Sequence, residues 1–314
     1  MHGITLPPVP AVSLEETLDS VAEQLVSGTV RSGMQQLFEA LDDHRRQLSA
    51  SEWRRQVNEV VRRHPVLQLL HRDPLARRSY EKPRGYAGDA VMLDLVYGLI
   101  DTHSLDRFGL ELLSVTAGAP ASRAVRHRLV TLRDALEVLA ARKPGVGRAL
   151  ALASGHLREA ATDAVRLRGV DSLVAYDQDS ESLATVSEAS AGWPVVTMKG
   201  SVRELLSGRR RFTGFDLVYA AGLFDYLQAP TASRLVELMF DATDSGGRVL
   251  FVNFAPDTPY LGYLEAVMDW FLIYRNEQQM LELASRVMGR TDCASVEMWR
   301  DPDRCLVYCE LTKK

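Results

Sequence analysis

The chain has 314 residues, of which 46% are hydrophobic and 25% are charged, and its formal net charge is −4 at pH 7. This composition is that of a globular protein with a substantial core. The charge balance excludes a protein that coats nucleic acid, and no apolar run reaches the roughly 18 residues that a membrane span needs.

The N-terminal half of the chain has helical periodicity. Ser13 and Glu16 have the spacing of a capping box, and apolar residues follow at helical intervals from Leu14 to Leu25. The same period predicts further helices over 34–41, 51–61, 87–99 and 121–141. We therefore predict an N-terminal all-helical cap, or substrate domain, over residues 1–142.

Beyond Pro144 and Gly145, short apolar runs alternate with helical segments. Strands are predicted at 148–153, 172–177, 194–198, 215–221 and 248–254, with helices at 158–167, 180–191, 202–206 and 232–242. Two last apolar runs, 295–299 and 305–311, flank a turn at 301–303 and predict an antiparallel hairpin. The predicted fold of residues 143–314 is α/β, a Rossmann-like, doubly wound, mostly parallel seven-stranded sheet with a C-terminal antiparallel hairpin strand.

The cysteines and the N-terminus bear on location. Cys293, Cys305 and Cys309 form no Cys-x-x-Cys motif, and no His or Asp accompanies them at a metal-binding spacing. The sequence after Met1 lacks a basic segment followed by an apolar core. These features predict a cytoplasmic protein with no metal site.

Ligands of open α/β sheets bind at the carboxyl ends of the strands. Gly155 follows the first predicted strand, and Asp177 ends the second, at about the interval where an acidic residue meets a ribose. Each residue also has a simpler interpretation, Gly155 as a plain turn and Asp177 as the cap of the next helix. The loop at 199–204 and Gly222 continue the series after the third and fourth strands.

Four segments carry a family resemblance: SGHLRE at 154–159, KPRGYAGD at 82–89, GLFDYL at 222–227 and DWFLIYR at 269–275. With them, the chain from about Pro65 onward resembles class I S-adenosylmethionine-dependent methyltransferases of the bacterial small-molecule type. That group includes enzymes thought to methyl-esterify a 3-hydroxy fatty acid signal, and it is close to the synthases of azetidine-2-carboxylate. The chain departs from the superfamily in having one glycine, where three are common, in the loop after the first strand.

The resemblance implies S-adenosyl-L-methionine as the cofactor and assigns residues to it. The implied cofactor-binding residues are Ala153, Ser154 and Gly155 for the methionine part, Asp177 and Gln178 for the ribose, Ser201 and Val202 for the adenine, and Ala221 and Gly222 under the sulfonium.

The acceptor side is predicted from two basic features. Residues 45–84 carry eleven basic residues against four acidic ones, which indicates solvated helix faces with ion pairs or a site for an anionic small substrate. In the loop at 82–89, Arg84 offers a fork for a carboxylate or an ion pair, Tyr86 a ring and a hydroxyl, and Asp89 a helix cap or a contact to a substrate ammonium. We expect this loop to fold over the cofactor, with Arg84, Tyr86, Asp89 and Tyr226 as catalytic candidates.

Four more residues are candidates for substrate binding: His127, Asn253, Tyr260 and Tyr274. Each has a structural alternative, a surface position for His127, a satisfied polar group for Asn253 and apolar packing for Tyr226, Tyr260 and Tyr274. The segment 269–275 is predicted to be an aromatic helix that forms either core or pocket wall.

Three functions remain open. The first is methyl transfer to a small molecule in bacterial secondary or signal metabolism, with an acceptor such as an amino acid, a carboxylic acid or a natural-product intermediate. The second is cyclisation of the cofactor's aminobutyrate arm to azetidine-2-carboxylate, and the third is a non-catalytic cofactor-binding module. The expected partner is a small molecule, anionic or amino-acid-like, with no nucleic acid and no membrane; the oligomeric state is not predicted.

Overall fold

Helices occupy the N-terminal half of the chain, as the apolar spacing predicts. The computed structural model describes residues 13–160 and 169–314, so most of the helix predicted over 158–167 lies outside the described residues. The N-terminal helices are α1 (Leu14–Val26), α2 (Val30–Gln47), α3 (Ala50–Glu59), α4 (Val66–Leu70), α5 (Pro74–Glu81), α6 (Ala90–Val96), α7 (Arg107–Gly118) and α8 (Pro120–Arg142).

The starts of these helices follow local capping chemistry. The predicted capping box at α1 is confirmed, because the Ser13 hydroxyl accepts from the Glu16 amide at 3.2 Å and the Glu16 carboxylate accepts from the Ser13 amide at 2.9 Å. A second capping box joins Ser49 and Glu52, so α3 begins at Ala50 and not at the predicted residue 51.

The sheet has the predicted form. Its order is β3-β2-β1-β4-β5-β7-β6, in which β7 is antiparallel to both β5 and β6 and the other neighbours are parallel. The strands are β1 (Gly147–Leu152), β2 (Val170–Asp177), β3 (Val195–Lys199), β4 (Phe215–Ala220), β5 (Thr243–Phe254), β6 (Cys293–Arg300) and β7 (Leu306–Lys313). This is the predicted Rossmann-like, mostly parallel seven-stranded sheet, with the hairpin that the turn at 301–303 predicts.

Helices cover both faces of this sheet. The later helices are α9 (Ser180–Ala189), α10 (Val202–Leu206), α11 (Ala229–Ala242), α12 (Leu261–Ala266) and α13 (Glu277–Met288). Val249 lies in a core cluster with side chains of α11 and α13, whereas the neighbouring Arg248 donates to the Ala135 carbonyl of α8 at 3.1 Å. Because successive strand residues point to opposite faces, α8 covers the face away from α11 and α13.

The chain forms two compact units whose bounds differ from the predicted boundary at residue 142. Among the described residues, a helical unit contains 13–88, 98–119 and 259–271, and a sheet unit contains 89–97, 120–160, 169–258 and 272–314. Helices α6 and α8 therefore belong to the sheet unit. The roles of the two parts, acceptor binding and cofactor binding, stay predictions.

The segment 259–271 comes from the chain after β5 but is held inside the helical unit. The Asp42 carboxylate accepts from the amides of Tyr260 at 2.7 Å and Gly262 at 2.8 Å. Glu265, 4% exposed, accepts from Arg45 at 2.9 and 3.0 Å and from the Trp53 indole at 2.7 Å. Backbone and side-chain polar groups on the segment thus find buried partners on α2 and α3.

This segment also accounts for part of the basic stretch at 45–84. Asp269 accepts from Arg62 and from Lys82, and the Arg54 guanidinium lies 4.2 Å from the centre of the Phe271 ring. Arg45 forms the ion pair with Glu265 described above. The positive charge of these residues therefore stabilises packing within the helical unit.

The predicted aromatic helix over 269–275 is wrong. Helix α12 ends at Ala266, and the residues from Asp269 to Asn276 form neither helix nor strand before α13 begins. Asp269 has a φ of 48°, in the left-handed region, which interrupts a right-handed helix. Two basic side chains hold its carboxylate there, so tertiary contacts override the local apolar pattern.

Candidate functional site

The turn after β1 has an unusual backbone. Ala153, Gly155 and Leu157 all have positive φ values, of 52°, 53° and 48°, in alternation with residues of negative φ. Two of these residues carry side chains, for which the left-handed region costs energy. A Cβ on Gly155 would lie 3.3 Å from the Cβ of Ala90 at the start of α6, so glycine permits this close approach. Such strain at a strand end is typical of ligand-binding turns.

Asp177 joins this turn to the end of β2. It is 6% exposed, and its carboxylate accepts from the Gly155 amide and from the Asp179 amide, each at 2.8 Å. The cap of α9 is Asp179, whose carboxylate accepts from the Glu181 amide. Asp177 is therefore not the cap of that helix. A carboxylate has about four acceptor positions, so two remain on Asp177 for the hydroxyls of a ligand.

Ser154 presents a polar atom that lacks a protein partner. Its backbone amide donates to the Tyr176 carbonyl at 3.3 Å, while its side-chain oxygen is buried and has no hydrogen-bond partner among the described residues. Buried hydroxyls are normally paired, and an unpaired one costs about 1–3 kcal/mol. A polar ligand in the turn would supply the missing partner.

The end of β3 is shaped by a tyrosine. The Tyr176 hydroxyl donates to the Ser201 carbonyl at 3.0 Å, and a Cβ on Gly200 would lie 2.2 Å from the Tyr176 hydroxyl oxygen. Any side chain at 200 would thus displace a buried ring. Val202, the first residue of α10, packs half-buried against the core, and Gln178 is exposed.

The end of β4 is buttressed by an arginine that the sequence analysis did not identify. Arg128 on α8 is 5% exposed and donates to the Ala221 carbonyl at 2.6 Å. A Cβ on Gly222 would meet only Arg128, at 3.8 Å, so this position is open to a neighbour. The predicted His127 is exposed on the same helix. The sequence does mark Arg128, because this charged residue lies three positions after Val125 within the apolar stripe of the helix.

A buried charge cluster lies beside the glycine turn. Asp94 of α6 accepts from Arg158 at 2.6 and 2.7 Å and lies 2.8 Å from the Nδ1 of His156, which is 6% exposed. Burial would raise the pKa of Asp94, but the hydrogen bonds from Arg158 and His156 outweigh it and lower that pKa. The cluster ties α6 to the turn and orients the His156 ring. His156 lies in the SGHLRE segment at 154–159, whereas Asp94 is 62 residues away in the chain and belongs to none of the motifs.

Glu159, four residues after Gly155, contacts β4. It accepts from the Tyr219 hydroxyl at 2.8 Å. Burial raises the pKa of Glu159, against the lowering effect of its hydrogen bonds and of the Arg128 and Arg133 charges. Glu159 therefore adds a carboxyl group near the strand ends, on the face of the sheet toward α8.

Asp225, Asn253 and Arg275 form a buried network at the ends of β4 and β5. Asp225 accepts from the Asn253 amide nitrogen at 2.9 Å and from the Phe254 amide at 2.7 Å. The Asn253 oxygen accepts from Arg275 at 2.6 Å, and its nitrogen also donates to the Ile273 carbonyl at 2.7 Å. Asn253 is fully buried with each atom of its amide engaged, which is the satisfied polar group of the structural alternative. Its role in substrate binding stays a prediction.

The Asp225 carboxyl makes stability depend on pH. Burial raises its pKa to about 6, against the lowering effects of the Phe254 amide and of Arg128 and Arg275, whereas an unfolded Asp has a pKa of about 3.9. Between pH 4 and 6 the folded state holds more protons, so this group lowers the unfolding free energy as the pH rises. Asparagine does not titrate. As the pH rises from 4 to 7, we expect the unfolding free energy of the wild type to fall by about 2–3 kcal/mol relative to that of Asp225→Asn, as measured by urea unfolding.

The exposed Asp171→Asn is the control for the substitution itself. If the difference between Asp225→Asn and the wild type did not change with pH, the assignment of this titration to Asp225 would be wrong.

The loop at 82–89 is a tight turn in the helical unit that leads into α6 of the sheet unit. Lys82 has a φ of 50°, and the Gly85 amide donates to the Lys82 carbonyl at 2.8 Å, which closes a turn with proline at its second position. Asp89 is fully buried and caps α6 by accepting from the Met92 amide at 2.8 Å. Arg84 and Tyr86 are half-buried. Asp89 is thus the helix cap that one of its two interpretations predicts. A catalytic role for Asp89 stays a prediction.

The remaining predicted residues are tyrosines. Tyr260, in the helical unit, stacks on Phe38 with ring centres 4.6 Å apart and accepts from Gln35 at 3.3 Å. Tyr226 is 39% exposed and Tyr274 is half-buried, both in the sheet unit. The structure thus gathers the predicted residues of the strand ends on the sheet unit, and it places Tyr260, Arg84 and Tyr86 in the helical unit.

Within residues 13–160 and 169–314, no group of three or more His, Cys, Asp or Glu side chains is placed to hold a metal ion. No helix in this part of the chain is both long enough and apolar enough to cross a membrane.

Comparison with known proteins supports the fold. No family model matches the chain, and no curated protein matches it. The chain is similar to the structure of a possible exported protein from Bordetella parapertussis, at 19% identity over 72% of this chain and 79% of that one, with a TM-score of 0.59. This likeness supports the fold and no activity.

Two solved methyltransferases are more distant. Magnesium protoporphyrin IX methyltransferase from Synechocystis PCC 6803, with bound SAM, matches at 11% identity over 62% of this chain and 83% of that one, with a TM-score of 0.44. N-methyltransferase NodS from Bradyrhizobium japonicum WM9 matches at 11% identity over 59% of this chain and 96% of that one, with a TM-score of 0.42.

Proposed function

We propose that the protein is an enzyme that uses S-adenosyl-L-methionine to methylate a small molecule. The observation that carries this proposal is the arrangement at the strand ends of a class I sheet. The strained turn at 153–157, the buried Asp177, the close approach at Gly200 and the open Gly222 follow β1, β2, β3 and β4 in order. A structural role explains each position separately but gives no reason for the series.

The residues at these strand ends fit the cofactor. The unpaired Ser154 hydroxyl and the turn backbone would hold the amino-acid end, and the free acceptor positions of Asp177 would receive the ribose hydroxyls, with Gln178 beside it. Ser201 and Val202 would border the adenine, and Ala221 and Gly222 would lie under the sulfonium. When bound, the cofactor supplies an electrophilic methyl group.

The chain would contribute positioning and, for some acceptors, a base. A carboxylate acceptor needs no proton removal, and Arg84 would bind it through two parallel hydrogen bonds. An amine or hydroxyl acceptor needs a base, and His156, whose Nδ1 lies 2.8 Å from the Asp94 carboxylate beside the turn, is the candidate for it. Tyr86, Asp89, Tyr226, His127, Asn253, Tyr260 and Tyr274 complete the proposed acceptor side.

The finer assignment rests on the motifs quoted above. They favour an amino acid, a carboxylic acid or a natural-product intermediate as acceptor, in bacterial secondary or signal metabolism. The cysteine pattern favours the cytoplasm. Cyclisation to azetidine-2-carboxylate would use the same cofactor residues and differs only in which carbon beside the sulfur is attacked.

One mass-spectrometric experiment tests the proposal. The purified protein is incubated with S-adenosylmethionine and panels of small acids and amines. We expect S-adenosylhomocysteine together with a methylated product. Methylthioadenosine would instead support cyclisation, and tight cofactor binding without any product would support a non-catalytic module.

The proposed roles of Arg84 and Tyr86 predict two different defects. Arg84→Lys should raise the Michaelis constant about tenfold with little change in kcat, because a point charge cannot replace a bidentate contact. Tyr86→Phe should lower kcat and leave the Michaelis constant nearly unchanged if its hydroxyl acts on the reacting atoms. Steady-state kinetics on the identified acceptor measures both.

Arg55→Lys on the exposed face of α3 and Tyr80→Phe on α5 are the matched controls. Wild-type kinetics for both loop variants, at unchanged stability, would show that the loop is only a structural connection.

A further inference from the structure

The sheet unit contains a cavity of about 370 Å³ that none of the proposed cofactor-binding residues lines. Its floor is the sheet face formed by β1 and β4, and α10 and α11 form its sides. Helix α10 has five residues and covers little of this face, so the loop at 207–213 closes the gap. Of the apolar lining, Leu206, Phe212 and Leu238 are half-buried, whereas the residues beneath them are buried in the core: Leu150, Leu152, Leu205, Val218 and Leu235. The volume lies within the range of small-molecule sites.

The polar part of the lining is mainly cationic. Arg210, Arg211 and Arg234 line the cavity, and Asp241 is its acidic residue. Asp241 is paired with Arg290 at 2.6 Å, and Arg234 is paired with Glu237 at 2.5 Å. Over the described parts of the chain, Arg210 and Arg211 form no ion pair; Arg211 is exposed to water, whereas Arg210 is half-buried.

Arg210 carries the stronger indication of a ligand. Its Nε is buried and has no hydrogen-bond partner within the described residues. A buried donor on a charged group costs more when unpaired than a neutral one does. An anion at the edge of the apolar floor would satisfy this donor, because a guanidinium matches the geometry of a carboxylate.

We propose that this cavity binds a single-chain amphiphile with an anionic head group. The chain lies against Leu206, Phe212 and Leu238, and the head group accepts from Arg210 and Arg211. An apolar floor with a few convergent polar groups is the usual composition of a small-ligand site. This site is separate from the proposed cofactor and acceptor residues, and it holds whether or not methyl transfer is the activity.

The test is calorimetric titration of the full chain with decanoate, below the concentration at which it forms micelles. We expect one site with a negative heat-capacity change, since apolar surface is buried on binding. Arg210→Gln should weaken decanoate about tenfold, the loss expected for a charge-assisted contact. Leu238→Trp, which puts a bulkier ring where the chain would lie, should abolish this binding. Decanol, with the same chain and no charge, should bind about tenfold more weakly than decanoate.

Arg209→Gln is the matched control, because Arg209 is exposed, contacts the Ser207 hydroxyl and does not line the cavity. It should leave decanoate affinity unchanged. Three results would overturn the proposal: no binding by the wild type, equal losses in Arg209→Gln and Arg210→Gln, or binding that survives in Leu238→Trp. The last would place decanoate elsewhere, for example at the acceptor site. Repeating the titration with S-adenosylmethionine, which should bind both cavity variants as tightly as it binds the wild type, keeps this result separate from the cofactor proposal.

Discussion

Replacing Asp177 by asparagine is expected to weaken S-adenosylmethionine binding at least about tenfold. The substitution removes a charge whose remaining acceptor positions would bind the ribose hydroxyls, and charge-assisted hydrogen bonds contribute roughly 1.5–3 kcal/mol. It also turns an acceptor that holds the Gly155 amide at 2.8 Å into an amide group with only one oxygen. The strained turn should therefore loosen as well. Calorimetric titration with the cofactor measures the first effect.

Asp179→Asn is the matched control, because this acid lies two residues away on the same turn and its carboxylate caps α9. Asparagine caps helices as well as aspartate does, so stability and cofactor affinity should both stay near the wild type. Equal affinities for Asp177→Asn, Asp179→Asn and the wild type, in folded proteins, would contradict the proposed cofactor site.

Gly262→Ala is expected to destabilise the helical unit by about 3 kcal/mol. A Cβ at this position would lie 2.5 Å from the carbonyl carbon and oxygen of Leu41 and 2.8 Å from the Asp42 amide nitrogen. These are backbone atoms inside α2, which cannot move aside as a side-chain end can, so the cost falls at the upper end for overpacking. Hydrogen exchange of α2 amides would report the loss locally, because it measures the opening of individual segments.

Gly118→Ala is a suitable control. Gly118 ends α7, and a Cβ there would meet nothing within 4 Å. Alanine stabilises a helix relative to glycine by up to about 1 kcal/mol, so this variant should be neutral or slightly more stable. Unchanged protection of α2 in Gly262→Ala would mean that the segment 259–271 is not packed against that helix.

The sequence predicts most of the fold and one part of the candidate site. Strand periodicity and the turn at 301–303 yield the sheet and its hairpin, because both are local signals. The residues at the strand ends can be found from the strand pattern, because every parallel strand delivers its carboxyl end to the same edge. Asp94 and Arg128 cannot be found from the strand pattern. They act from helices 62 and 93 residues away from the turns that they contact.

The predicted aromatic helix is wrong for a similar reason, because residues far away in the chain decide the conformation of this segment. The apolar residues of 269–275 fit helical spacing, and nothing within the segment forbids a helix. The conformation is decided by Arg62 and Lys82, which bind Asp269 from 207 and 187 residues away. The predicted boundary at 142 has a related limit, because composition along the chain cannot show that 259–271 packs with helices from the N-terminal half.

The placement of 259–271 also has a consequence for biosynthesis. Helices α1 to α5 leave the ribosome early, but Asp42, Arg45 and Trp53 meet their buried partners only after residue 265 has been made. During that interval most of the sheet unit is synthesised, while the first unit of the chain waits with apolar surface uncovered. Contacts that span more than 200 residues slow folding and prolong exposure to aggregation. The N-terminal helices can therefore finish folding only after the segment 259–271 has been made.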